Sequence, residues 1–506
     1  MLPGPATDAE PEFTRMNQPI ESYEQAIEYL FTRINYERIS GMAYSADDFK
    51  LDRMRDLLAL LDAPHEEIPA VHIAGTKGKG STAAMIASVL TASGYRTGLF
   101  TSPHISAFEE RIAVNGQIAT PGQIVDLVNA IRGPVAALEK TASRMSPTYF
   151  EIATAMAWLF FRWQHVQIAV LEVGLGGRLD ATNLCRPEVT VITTISRDHT
   201  RQLGSRIEQI AREKAGIVKT GAVLVSGVAG GEAAAAIAAV CREQSIVLRQ
   251  GGRDFSYRHL PVTVRQPAAG ATHGTPSERG RAGAATTPRN QVDVSTASRV
   301  WRGLELSLVG EHQAANAAVA VATIEQLILR GWRVSEAAVY EGLAGVSWPG
   351  RIEVLRQQPT VIADAAHNWA AVAALLKTID RSFESQRQIL VFAATQDKDV
   401  AGMLRQLLPR FDTVILTCYQ NNPRGVPVDD LARLAGQLGP TPAHCAADPI
   451  SAWKLARRLA TDDDLICITG SFFIAAELRE MILDETRHEE AGTQPAPTGV
   501  AREIDA

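Results

Sequence analysis

The densest chemistry in the chain lies in seven consecutive residues, Gly75-Thr76-Lys77-Gly78-Lys79-Gly80-Ser81. Glycines let a backbone wrap a polyphosphate, and the amides of such a loop, and of a helix it opens, point at the anion. Lys79 would neutralise β- and γ-phosphate charge, and Ser81 would set a hydroxyl near a metal. The spacing departs from the common P-loop, because Gly80 separates Lys79 from Ser81. The bland alternative is a glycine turn with two solvated lysines.

Four further groups carry chemical potential. Glu172 ends an apolar run and precedes Val-Gly-Leu-Gly-Gly-Arg-Leu-Asp. A carboxylate at a strand's carboxyl end beside a phosphate loop suits magnesium; the alternative is a capping or loop carboxylate. Asp198-His199 follows the next apolar run, but magnesium seldom takes imidazole, so spacing alone makes His199 a structural histidine. Lys214, in a helical pattern, reads by itself as a solvated surface lysine. Asp364-Ala-Ala-His367-Asn368 ends a later strand-like run. It could serve a site, or simply cap the helix that follows.

The elements that must position these residues alternate. Residues 20–62 read as helical. IPAVHIAG, YRTGLFTS, VQIAVLEVG (166–174) and VTVITTIS (189–196) read as buried strands, with a helix from Ser81 to Ser93. LELSLVGEHQAANAAVAVATIEQLILRG reads as strand, turn and long helix. After a Trp348–Arg351 linker, four more strand-like runs alternate with helical patterns at 370–379, 400–409, 428–438 and 449–460. The expected fold is α/β: a P-loop parallel-sheet ATPase domain over 18–347, then a smaller Rossmann-like α/β domain over 348–486. Residues 1–17 read as a disordered arm and 487–506 as a disordered tail. Residues 266–299 contain no Leu, Ile, Met, Phe, Tyr or Trp and read as a disordered insertion.

Composition narrows the class. The chain has 506 residues, enough for two or three domains, and a net charge of −6, which argues against a general nucleic-acid binder. Its five cysteines are scattered without a CxxC pair, which suits a reducing compartment. No apolar run reaches the length of a membrane span, and the N-terminus lacks a signal-peptide core. A cytoplasmic monomer working on small molecules is the expectation.

The motifs together resemble the folylpolyglutamate synthase/dihydrofolate synthase branch of the Mur ligase superfamily. They are GTKGKGS, TSPH (101–104), ERI (110–112), TYFE (148–151), EVGLGGRLDATN (172–183), DHT (198–200), EKAGIVK (213–219), GEHQAANAA (310–318), WPGRIE (348–353) and DAAHN, in family order. The resemblance implies an ATP- and magnesium-dependent ligase that joins L-glutamate to dihydropteroate, to folate, or to both. It implies that Gly75, Thr76, Gly78, Lys79, Gly80 and Ser81 hold ATP, with Asn316, Arg351 and Asp364 at the nucleotide. Ser102, Glu172 and His199 would form the magnesium environment, and a monovalent cation could accompany it. Lys214 would be carbamylated, and His367 would position reactants. Thr148, Phe150 and Glu151 would lie on the pterin side. Alternatives are a ligase with a UDP-sugar substrate, disfavoured because only 74 residues precede the loop, and a nucleotide-dependent binding protein that does not ligate.

Overall fold

The computed structural model describes residues 19–35, 51–141, 146–197, 204, 206–261, 290–420, 422–439 and 443–490. The expected arm 1–17, residues 266–289, the tail from 491, and Asp198 and His199 lie outside the described residues.

The first domain is built on eight strands: β1 (Pro69–Ala74), β2 (Thr97–Phe100), β3 (Ile112–Val114), β4 (Gln117–Ile118), β5 (Ile168–Glu172), β6 (Arg186–Ile192), β7 (Val223–Ser226) and β8 (Val247–Gln250). Their order is β4-β3-β2-β5-β1-β6-β7-β8. Six are mutually parallel; β3 and β4 form an antiparallel edge hairpin that the sequence patterns did not reveal. The central strands are apolar on both faces because both are covered. Along β5, Ala169 and Leu171 face the core containing helix Tyr149–Trp163, while Ile168 and Val170 face the core containing helices Lys79–Ala92 and Glu311–Leu329.

The expected insertion needs correction at its carboxyl end. Asn290–Thr296 is a strand, β10, between β9 (Phe255–Leu260) and β11 (Val300–Leu306) in a three-stranded antiparallel sheet. Two inward valines, Val292 and Val294, suffice to seat β10 on the helix side, with Trp301, Leu304 and Leu306 from β11. Glu325 ties the sheet to its helix, accepting from Trp301 Nε1 at 3.0 Å and Thr296 Oγ1 at 2.8 Å.

The second domain carries β12 (Glu353–Gln357), β13 (Thr360–Ala363), β14 (Gln388–Phe392), β15 (Thr413–Leu416), β16 (Ala443–Cys445) and β17 (Leu465–Thr469). The order is β12-β13-β17-β14-β15-β16, all parallel except β12. Helices Trp369–Ser382, Val400–Leu407, Val428–Leu438 and Pro449–Leu459 fall on the expected segments. The last helix runs Phe472–Glu490, past the expected boundary at 486, with Glu489 paired to Arg356 at 2.6 Å and Arg457 at 3.0 Å. The five cysteines form no disulfide. Among the described residues no helix is long and apolar enough to cross a membrane.

Candidate active site

Strand order brings the chemistry together. β1 lies between β5 and β6, so the glycine loop, Glu172 and the Thr193–Ser196 segment share one rim. Ligands of open α/β sheets bind at that rim. The 193–196 segment leaves the strand and clasps the loop: Thr193 Oγ1 donates to the Lys77 carbonyl at 2.6 Å, and Thr76 N donates to the Thr194 carbonyl at 2.7 Å. Gly78 has φ +82°, and a Cβ there would stand 2.3 Å from Asn316 Oδ1. A Cβ on Gly80 would meet Trp348 at 2.9 Å and Glu172 Oε2 at 3.2 Å. Both glycines are therefore required by close approach.

Lys79 opens its helix and points at Glu172, with Nζ to Oε1 at 3.7 Å. The other carboxylate oxygen of Glu172 accepts from Ser102 N at 3.1 Å. Burial raises the Glu172 pKa, and Lys79 is the main opposing influence.

The second domain supplies the facing wall. Asp364 leaves β13 and accepts from Ile352 N and Ala366 N, each at 2.9 Å. Burial raises its pKa against the pull of Arg351. Arg351 is half-buried, feels Asp364 and Glu172 as its anions, and lies 4.8 Å from the Phe472 ring centroid. His367 donates Nδ1–H to the Ala365 carbonyl at 2.9 Å, because a carbonyl can only accept. Capping of the following helix falls to Asn368, whose side chain accepts from Ala371 N, not to Asp364.

One cleft of about 1560 Å³ joins these walls. Thr76, Gly78, Lys79, Gly80, Ser81, Ser102, Thr148, Phe150, Glu151, Glu172, Asn316, Arg351, Asp364 and His367 all line it. Thr148 and Glu151 also form the capping box of their helix, and Arg53 donates to Glu151 at 2.8 Å. Gly75 and Lys214 are not in the lining. Lys214 is not the surface lysine that spacing suggests: it is 5% exposed, in helix Ile207–Ala215, packed under the loop after Glu172. Lysines are seldom buried that far.

Sequence reasoning missed several lining residues. Arg111 is 1% exposed, donates to His104 Nδ1 at 2.8 Å and lies over the Tyr149 ring. His312 is half-buried beside Arg351, and desolvation with that charge lowers its pKa to about 4, so it is neutral at pH 7. Both sit inside quoted motifs, but a lone Arg or His in a motif carries no spacing signal of its own.

Comparisons with known proteins agree with this architecture. Residues 73–226 match the family model of the Mur ligase middle domain, and 350–472 that of the Mur ligase glutamate ligase domain. The chain is 34% identical over 434 residues to a dihydrofolate synthase/folylpolyglutamate synthase of Bacillus subtilis, covering 85% of this chain and 94% of that protein. It is 36% identical over 470 residues to the protein of the same name in Mycobacterium tuberculosis, covering 86% and 90%. The solved Mycobacterium tuberculosis folylpolyglutamate synthase complexed with ADP and AMPPCP superposes with a TM-score of 0.78 at 32% identity, covering 91% of this chain and 98% of that one.

Proposed function

The chain belongs to the folylpolyglutamate synthase/dihydrofolate synthase family of ATP-dependent Mur ligases, and on that premise we propose that it joins L-glutamate to dihydropteroate, to the glutamate tail of a tetrahydrofolate, or to both, through an acyl phosphate. The observation that carries this is the cleft, where Lys79 and Glu172 face Arg351, Asp364 and His367 across two domains.

The residues divide the work. The Gly75–Ser81 loop cradles the triphosphate, and Lys79 draws charge from the transferred phosphoryl group as the substrate carboxylate attacks it. Asn316, Arg351 and Asp364 hold the nucleotide. Thr148, Phe150 and Glu151 flank the pterin. The amine of glutamate then attacks the acyl phosphate, with His367 aligning the reactants. The second domain excludes the water that would otherwise hydrolyse that intermediate.

Glu172 and the hydroxyls of Ser81 and Ser102 are hard oxygen donors of the kind magnesium takes, and His199 completes the proposed set. Magnesium is commonly held by one or two carboxylates plus substrate phosphates. That partial mode fits a site where, among the described residues, no group of three or more His, Cys, Asp or Glu gathers. When bound, the ion would neutralise β- and γ-phosphate charge. Carbamylation of the buried Lys214 would give an oxygen donor in the shell below the loop. The protein is proposed to act in the cytoplasm as a monomer, on small molecules rather than nucleic acid or membrane.

The test is ADP release by purified protein with ATP, magnesium and glutamate, adding dihydropteroate or tetrahydrofolate separately. Release with both gives a bifunctional enzyme, and release with one assigns the narrower activity. Release with neither, in protein that binds ATP, removes the folate reading. Lys79→Ala is expected to lower the rate about 100- to 1000-fold by removing a charge aimed at the transition state.

A further inference from the structure

Lys219 is a half-buried cation on the segment that follows helix Ile207–Ala215, and it is not in the cleft lining. Its Nζ donates to the Asn183 carbonyl at 2.6 Å and to the Cys185 carbonyl at 2.5 Å. These carbonyls lie at the end of the single helical turn Ala181–Leu184, where backbone acceptors have no partner within the turn. Asp180 closes the other end: its Oδ1 accepts from Thr182 N at 3.0 Å, and its Oδ2 from Leu175 N at 2.9 Å. Asn183 Nδ2 donates to the Arg178 carbonyl at 2.9 Å and to the Gly216 carbonyl at 3.1 Å. Residues 174–185 are thus one hydrogen-bonded block, tied through Lys219 and Asn183 to the segment that follows Lys214.

The block has little slack. A Cβ on Gly174 would stand 2.5 Å from Phe150 Cζ, so the loop lies flush on that ring. On its other side, a Cβ on Gly177 would stand 3.0 Å from the Glu213 and Lys214 carbonyls, and one on Gly216 would stand 2.4 Å from Arg178 Cβ. Gly174, Leu175, Leu179, Asp180 and Ala181 line the cleft. Resting on the ligase reading above, we propose that Lys219 is a positioning residue for the pterin-bearing substrate, setting the cleft-lining loop 174–181 at its distance from Phe150. It acts through the backbone of the Ala181–Leu184 turn, not by touching substrate. An ammonium has three donors and no acceptor, so one lysine can hold two carbonyls at once. Such charge-assisted bonds are roughly twice as strong as neutral ones. The nucleotide side is anchored separately. The glycine loop is clasped by the Thr193–Ser196 segment, and β6, which lies between that clasp and the turn, is fixed by its pairing with β1. A slackened turn should therefore move the wall beside Phe150 and leave the phosphate cradle in place.

Steady-state kinetics of Lys219→Met, Lys219→Gln and Lys219→Arg test the assignment, with KM measured separately for the pterin substrate and ATP and the thermal midpoint recorded for each variant. Lys219→Met is expected to raise the pterin-substrate KM about 5- to 20-fold, part of the effect of two lost hydrogen bonds to a charged group, with the ATP KM within about twofold. A merely structural role would lower the midpoint and the active fraction but leave the KM values of the folded enzyme unchanged. Lys219→Arg keeps a cation with several donors and should restore part of the pterin-substrate KM. If Lys219→Met does not fold, Lys219→Gln, which keeps a donor group, carries the same test with a smaller rise. An unchanged pterin-substrate KM in an active variant overturns the positioning role and leaves the ligase reading intact. A rise shared equally by ATP and the pterin substrate also overturns it, because the change then reaches the whole site. A wild-type protein with no pterin-dependent ADP release overturns both.

Discussion

His72 shows how burial sets a charge that sequence leaves open. It lies on β1 with no exposed surface, and its Nε2 is 2.8 Å from Thr182 Oγ1. The Thr182 hydroxyl donates to Asp180 Oδ1 at 2.5 Å, so it can only accept from His72, which fixes the Nε2–H tautomer. Nδ1 is buried without a hydrogen-bond partner, as suits a neutral ring. Desolvation, helped by nearby Lys219, lowers the pKa from 6.5 to about 3. The folded form therefore refuses a proton that the unfolded chain accepts below about pH 6.5. This residue's penalty is absent above that pH and grows as pH falls toward 3, reaching on the order of 4 kcal/mol. His72→Gln keeps a donor for Thr182 but cannot titrate. Urea unfolding at pH 7 and pH 4 should show the variant losing less stability than wild type between the two; equal losses would refute the assignment.

At the scale of elements, the glycine loop is held by its neighbours as much as by its own sequence. Gly78→Ala puts a Cβ into a φ of +82° and within 2.3 Å of Asn316 Oδ1. Left-handed backbone costs an alanine about 1–2 kcal/mol before any clash. Calorimetry with ADP should show at least about tenfold weaker binding, with the thermal midpoint nearly unchanged because the loop is at the rim; intact affinity would deny the loop its role. The loop's place after a strand and before a helix was legible in sequence, as were Glu172 and Asp364 at strand ends, because two-sided burial writes continuous apolar runs. β10 was not legible. Its alternation rests on two valines, and a 34-residue window without large apolar residues concealed it. Lys214 failed differently: helical spacing gives a face, and only packing says whether that face meets solvent.

At the scale of the molecule, the segment between β9 and β10 should be dispensable to the enzyme. The two strands pair antiparallel, with Leu260 opposite Gln291, so the ends of the segment are already neighbours. Directly opposed residues in such a pair are about 5 Å apart, which a two- to five-residue hairpin loop spans. Residues 266–289 offer no large apolar side chain for any core, and the buried surface of the three-stranded sheet comes from Phe255, Val292, Val294, Trp301, Leu304 and Leu306. The cleft is lined by none of these strands. Loop length enters stability only logarithmically, so shortening this connection should stabilise the fold modestly, by about 2 kcal/mol at most. Replacing residues 263–288 with a short Asn-Gly turn is therefore expected to leave the rate of glutamate-dependent ADP release within twofold of wild type and the thermal midpoint equal or a few degrees higher. A selective loss of activity with the midpoint preserved would mean that the segment reaches the cleft or its substrates, and a fall in the midpoint would mean that it packs on the sheet despite its composition.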